Sequence, residues 1–422
     1  MSRLIRNIGW LLSGRGVNAV LSLVYLALAT RTLGIEGFGY FALIVAMGQT
    51  VTGLANFQTW QFVIRWGAGE DGPGEATGFA IALDLLSAIL GSILAAGLCW
   101  SAQFWLPLPT DLLPLAFGYC IVSLLAIRTT PTGLLRLRFE YGRATAAEAV
   151  QPIVRAAGAI LAAIFLPSVW GFILAWAAAE VAVAAALWFA ASRHDRIDLS
   201  QISLWRIPRD HPGAWKFVWS TNLTGSLNVG SKQVLILLVG AIGGEAFAGG
   251  FRVASQLGQA LVSLAQTVSK AIYPELVHAR DDAHDMARRM ANIALVGGAM
   301  AVLVAIFFGR QGLTLIAGPE FGVVYWAMVI LAIAGAIELV GASLESLLVS
   351  AGRAGTAFVM RAVPTVIGLG LLQVAMDWNG LKGAAFTVLG GSALSVIGFW
   401  VAVISLSQIT ITVKPKPEDE PA

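Results

Sequence analysis

The sequence predicts an all-α polytopic membrane protein, with about twelve transmembrane helices in two parallel six-helix repeats around a central cavity. Three observations predict it. Hydrophobic residues make up 57% of the chain and charged residues 12%, where a soluble domain carries about a quarter charged. Apolar stretches of roughly 20 residues, the length that spans a bilayer as a helix, follow one another along the chain. The punctuation of the first half then returns in the second at a shift of about 210 residues, as a parallel repeat would.

The first span, 9–33, follows the basic start "MSRLIRNIGWLLSG" and runs a full bilayer width without a small-residue cleavage site, so it reads as a helix rather than a signal peptide. "LGIEGFGYF" at 33–41 turns the chain into a second span, 38–64. Spans at 78–102, 112–130, 146–166 and 169–191 complete an N-terminal half, 1–191. The segment 192–213, "SRHDRIDLSQISLWRIPRDHPG", is the linker between halves, and its apolar residues with Trp205 predict a short interfacial helix. The C-terminal half, 214–408, has spans at 214–241, 247–273, 290–309, 321–350, 356–376 and 380–408. The tail 409–422 ends in "KPKPEDEPA" and is expected to be disordered. A β-barrel is excluded, because its strands alternate apolar and polar residues and these runs do not. Cys99 and Cys120 lack metal-ligand spacing and read as small core side chains.

Basic residues fix the orientation. With twelve spans, about eighteen of the 27 Lys and Arg fall on the side that holds both termini and the connections 65–77, 128–145, 192–216, 274–289 and 351–355. The opposite side holds Arg31, Arg310 and Lys382. Positive charge marks the cytoplasmic face, so both termini are expected inside. The pI of about 9.0 then reflects topology and implies no nucleic-acid partner.

Several features coincide when the chain is slid upon itself. Asn18 meets Asn228, "GQ" at 48–49 meets "GQ" at 258–259, "GRAT" at 142–145 meets "GRAG" at 352–355, and Gly158 meets Gly368. The Gly-x-Glu-x-Phe elements, Gly34/Glu36/Phe38 and Gly243/Glu245/Phe247, match one residue off that register. A shift by six spans preserves membrane orientation, so the halves are parallel repeats, the plan of transporters that rock one half against the other.

"RTLGIEGFGYFALIVAMGQTV" resembles the start of the second helix in polysaccharide and O-antigen flippases of the multidrug/oligosaccharidyl-lipid/polysaccharide exporter superfamily, with Arg31, Leu33, Gly34, Phe38, Gly39 and Phe41 filling the pattern. "FRVASQLGQALVSLAQTVSKAIYPELVHAR" is similar to that family's eighth helix, and "GRATAAEAVQPIVRAAG" resembles its fourth-to-fifth connection. The likeness covers essentially the whole chain. It implies a bacterial inner-membrane flippase for a polyprenyl-pyrophosphate-linked oligosaccharide, working in O-antigen, lipopolysaccharide or exopolysaccharide synthesis beside a polysaccharide polymerase and chain-length partners. The related lipid II flippases usually carry two further helices. The multidrug cation antiporters of the superfamily share the twelve-helix plan and stay open as the alternative. A membrane sugar polymerase or ligase is the minor one, disfavoured by short outer connections.

Charges inside the membrane are the candidate site residues, because an unpartnered charge at mid-span costs about 2.5–3.5 kcal/mol on insertion scales. The cations Arg15, Arg155, Lys232, Arg252, Lys270 and Arg361 are candidates to line a water-filled cavity and compensate the pyrophosphate that the resemblance implies. Each of them has a plainer alternative, snorkelling to an interface or pairing with an acid. The acids Asp84, Glu180, Glu338 and Glu345 are candidates to couple transport to Na⁺ or H⁺, with buried ion pairing as the alternative. "STNLTGSLNVGSKQ" makes the seventh span unusually polar, through either helix–helix hydrogen bonds or sugar contacts. No phosphate-cradling Gly-Lys-Ser loop, catalytic constellation or metal-ligand cluster is present in the sequence, so a carrier without a cofactor is expected rather than an enzyme.

Overall fold

The computed structural model describes residues 2–68, 72–193, 198–276, 283–350 and 352–412, and among them every regular element is helical. The first helix, α1 (Ser2–Ala55), holds two spans, because Gly34 interrupts it at φ 68° and ψ −177°. Only a residue without a β-carbon takes that conformation cheaply, so the outer turn costs no loop. The second span breaks at 56–58, where the Gln58 amide donates to the Asn56 side chain at 2.7 Å, and resumes as α2 (Thr59–Trp66).

After α3 (Gly72–Trp105) and α4 (Leu113–Leu125) comes a second break at 126–128, and the chain restarts as α5 (Thr129–Leu137). Pro131 in the first turn of α5 fits this restart, since a helix start needs no amide there. Three helices follow, α6 (Tyr141–Glu148), α7 (Val150–Phe165) and α8 (Val169–Ser192). Small residues let α7 and α8 touch: a β-carbon on Gly158 would lie 2.7 Å from that of Ala175. Trp176 on α8 is buried and meets the rings of Tyr25 and Phe41 edge-on, at 4.8 and 4.9 Å. Cys99 and Cys120 are free and buried.

Among the described residues the linker contains a 3-10 turn, Leu199–Gln201, and a short helix, α9 (Arg206–Asp210), beside the exposed Trp205. It is tied down by Ile207, which packs among Phe57, Phe62 and Phe79. It is also tied by Gly78 of α3, where a β-carbon would lie 2.2 Å from the Gln201 carbonyl oxygen. On the next helix, α10 (Ala214–Gly243), part of the polar face is explained by the break in the second span. Asn222 donates to the carbonyls of Leu54 at 3.2 Å and Asn56 at 2.8 Å, and Ser226 donates to that of Gly53 at 3.1 Å. Such carbonyls end a helix without partners, so these two side chains act as helix–helix caps.

Gly244, at φ 87° and ψ 175°, then starts α11 (Glu245–Leu276) with the same geometry as Gly34. The structural equivalence of the two turns is thus Gly34 with Gly244, in register with the other repeat matches, while the Glu and Phe positions slip by one. The turns also touch. A β-carbon on Gly39 would lie 2.1 Å from the Glu245 carbonyl oxygen, and one on Gly249 would lie 2.9 Å from the Gly39 nitrogen.

The chain divides into two compact units, residues 1–253 with 311–323, and residues 254–310 with 324–422. The linker lies within the first unit. The segment 311–323 joins that unit through Arg31, whose guanidinium donates to the Leu315 and Ile316 carbonyls. Glu320 accepts from the Ile35 amide at 3.2 Å, and Phe321 meets Phe38 edge-on at 6.1 Å. The second unit takes the rest of α11, most of α12 (Ala283–Ala317), and α13 (Tyr325–Ser350), α14 (Ala354–Gly370) and α15 (Leu372–Thr412), the last broken at Asn379–Gly380. Its helices also meet through small residues, such as Gly298 against Ala336 and Gly341 against Val396.

Eight helical stretches among the described residues are long and apolar enough to cross a membrane. That number counts α1 with α2 as one stretch, and leaves out the bent α10, the more polar α11 and the 17-residue α14. Taking α1 as two spans and adding those three is consistent with the twelve that the sequence predicts.

Candidate functional site

A cluster of charge lies inside the first unit. Gln151 and Arg155 stand one helical turn apart on α7 and face Glu180 on α8. Glu180 Oε1 accepts from Arg155 Nη2 at 2.7 Å and from Gln151 Nε2 at 3.0 Å. Glu180 Oε2 lies 3.0 Å from Arg128 Nη2, at the break before α5. The Arg155 guanidinium also sits over the Trp176 ring, 5.3 Å from its centroid. Arg252 on α11 is half-buried and interacts electrostatically with Arg155, Tyr25 and Tyr119.

Arg128, Gln151, Arg155 and Glu180 line a cavity of about 210 Å³, with Gly48, Gln49, Thr52, Tyr119 and Ser123 forming the rest of its wall; Arg252 and Trp176 lie behind it. That is below the roughly 300–1,000 Å³ of a drug-sized pocket, so it suits a headgroup rather than a long chain of sugars. Charge and size point the same way. Two guanidiniums face one carboxylate, and the uncharged wall offers amides and hydroxyls. The Arg155 Nε is buried and has no hydrogen-bond partner, so this guanidinium is only partly satisfied.

Asp84 forms a separate knot. Buried in α3, it accepts from the hydroxyls of Thr59 at 3.0 Å, Thr129 at 3.0 Å and Thr130 at 2.5 Å. Thr59 opens α2, and Thr129 and Thr130 open α5, so both helices restart at this carboxylate. Helix N-termini and hydroxyl donors favour an anion. The arrangement ties the two restarts together through Asp84, a structural role that stands beside the ion-coupling role the sequence offered.

The remaining candidates are dispersed. Within the second unit, Arg361 pairs with Glu345 at 3.3 Å, and Glu338 accepts from Ser392 at 2.9 Å. Lys232 is exposed on α10 and is absent from the cavity wall. The side chains of Arg15 and Lys270 lie outside the described residues. Arg65, a membrane-anchor candidate by its neighbour Trp66, stacks over Trp66 and Phe217, at 4.8 Å from each ring.

Sequence reasoning brought Arg155, Arg252 and Glu180 forward, but as unconnected entries in an inventory of charges. It missed Arg128, which it assigned to a cytoplasmic connection, and the uncharged Gln151 and Tyr119. The one available signal was "AIRTTPTG" at 126–133, where paired threonines and a proline announce a helix restart within the apolar run.

Known proteins agree with this fold. Lipid II flippase MurJ, in an inward closed conformation, superposes with a TM-score of 0.74 at 12% identity, covering 96% of this chain and 93% of that one. An inward-facing multidrug resistance MATE family transporter of the MOP superfamily gives a TM-score of 0.69 at 17% identity, covering 93% and 96%. A MOP superfamily transporter from Pyrococcus furiosus, described as having a binding pocket of reverse polarity that suggests a different function, gives 0.56 at 15% identity, covering 94% and 93%. In sequence, the chain is 28% identical over 340 residues to inner membrane protein YghQ of Escherichia coli (strain K12), covering 75% of this chain and 93% of the relative. Residues 27–310, about two thirds of the chain, match the profile of the family described as polysaccharide biosynthesis protein, and the chain belongs to that family.

Proposed function

We propose that this protein is an inner-membrane flippase for a lipid-linked oligosaccharide, and that Arg128 and Arg155 compensate its diphosphate during the crossing. The observation that carries this reading is the sign of the cavity, two guanidiniums against one carboxylate in a space of headgroup size. A diphosphate brings two or more negative charges that hydrocarbon cannot hold. Guanidinium groups offer paired donors that match phosphate oxygens, and Gln49, Thr52, Ser123 and Gln151 offer partners for the first sugar. The same polarity repels a cationic drug, which weighs against the multidrug antiporter. The excess of basic residues in the connections on the side of both termini supports a cytoplasmic position for them, and loading from that side fits this reading.

Leaflet transfer in liposomes tests this. A polyprenyl-pyrophosphate oligosaccharide is loaded inside, its appearance outside is followed with an impermeant sugar-modifying enzyme, and a cationic dye is run in parallel. Lipid-linked sugar crossing without dye efflux is expected. Dye efflux driven by a Na⁺ or H⁺ gradient, with the lipid static, would make the protein a cation antiporter instead.

A further inference from the structure

We propose that Glu180 is a built-in counter-anion, which holds the phosphate-binding groups of the empty cavity and competes with the incoming diphosphate for them. The proposal rests on the reading of the cavity given above. Its basis is the way the carboxylate is shared. One oxygen takes Arg155 and Gln151, the other faces Arg128, and these donors come from two separate elements. A diphosphate entering the same space needs those same donors, and two anions cannot both have them at full strength.

Three further observations fit. Glu180 is buried, and it is the one acid in the cavity wall among the described residues. Without it the empty carrier would hold two guanidiniums with nothing to balance them, and buried charges need partners. Arg128, at 40% side-chain exposure and at a helix break, is placed to swing from carboxylate to phosphate. Arg155 holds Glu180 through its terminal nitrogen while its Nε–H is buried without a hydrogen-bond partner, so Glu180 does not satisfy the whole guanidinium.

The consequence is a division between affinity and turnover. A carboxylate beside a bound diphosphate repels it, which weakens binding and speeds release. It also retakes the arginines after release, so the empty carrier returns without unpaired charge. A flippase needs both, because an interaction that only tightens binding does not raise turnover.

The test uses the purified full-length protein, with inorganic pyrophosphate as the binding probe and the lipid-linked oligosaccharide in liposomes as the transport probe. E180Q is expected to bind pyrophosphate about tenfold tighter or more, the scale of one neighbouring like charge, and to flip the lipid more slowly. A merely structural role would weaken both. E180D, too short to reach both arginines, should tighten binding by less, and it gives the answer if E180Q does not fold. Unchanged or weaker pyrophosphate binding in the folded variants, with the wild type binding, overturns the role of Glu180 and leaves the cavity reading standing. No pyrophosphate binding by wild type or variants overturns the cavity reading itself.

Discussion

Arg155 carries two tasks in one side chain: an ion pair with Glu180 and a cation–π contact with Trp176. Planarity lets a guanidinium do this, and an ammonium cannot repeat it. Arg155→Lys should therefore lose most of the function although the charge is kept. We expect lipid transfer to fall about tenfold or more, the scale of one lost charge-assisted hydrogen bond of about 1.5–3 kcal/mol. Initial rates in the liposome assay check it, and a rate within twofold of wild type would reduce the site to simple charge. Arg128→Ala should resemble Arg155→Lys in rate but leave the fold more intact, since its side chain is more exposed.

At the scale of the element, the two helix breaks are the features to explain. The second span and the fourth both stop part-way, and their continuations, α2 and α5, restart against Asp84. On the other side of the first break, Asn222 and Ser226 of α10 take up the carbonyls that the second span leaves open. Arg128 is the residue before Thr129, so the same restart that Asp84 pins also aims a guanidinium into the cavity. Asp84→Ala would strand three threonine hydroxyls in a buried site. We expect a loss of about 3 kcal/mol in stability, read as a fall of several degrees in the thermal midpoint of the detergent-solubilised protein. Asp84→Asn keeps an acceptor oxygen and should recover part of it. If both variants melted like wild type, Asp84 would have no pinning role, and ion coupling would be left as its candidate role.

At the scale of the whole molecule, the repeat is a physical device as well as a sequence pattern. Gly34 and Gly244 turn the chain in the same way, and Gly39 and Gly249, five residues further in each copy, bring the starts of the second and eighth spans into backbone contact. The predicted topology puts this contact at the outer face. A β-carbon on Gly39 would overlap the Glu245 carbonyl oxygen, and backbone cannot step aside as a flexible side chain can. Gly39→Val should therefore part the two turns, at a cost of about 1–3 kcal/mol or more for overpacking. Hydrogen exchange should accelerate across 34–41 and 244–251 while 150–190, which carries the arginine cavity, stays protected. Equal protection in both regions would show that the crossing is not tight.

By itself the sequence determined the membrane class, the approximate span order and the doubling of the chain. Hydrophobic length and repeat register are written along the chain, and the bilayer leaves helices little freedom to satisfy their backbone in any other way. It also determined that Arg155, Glu180 and Arg252 needed partners, because charge in a membrane does not stand alone. Which partners they took was decided by the tertiary structure. Glu180 faces an arginine 25 residues away on α7 and another at a helix break, and Asp84 meets threonines from two restarts. Hydropathy sets the cost of leaving a charge unpaired, and packing alone brings the pairs within 3 Å.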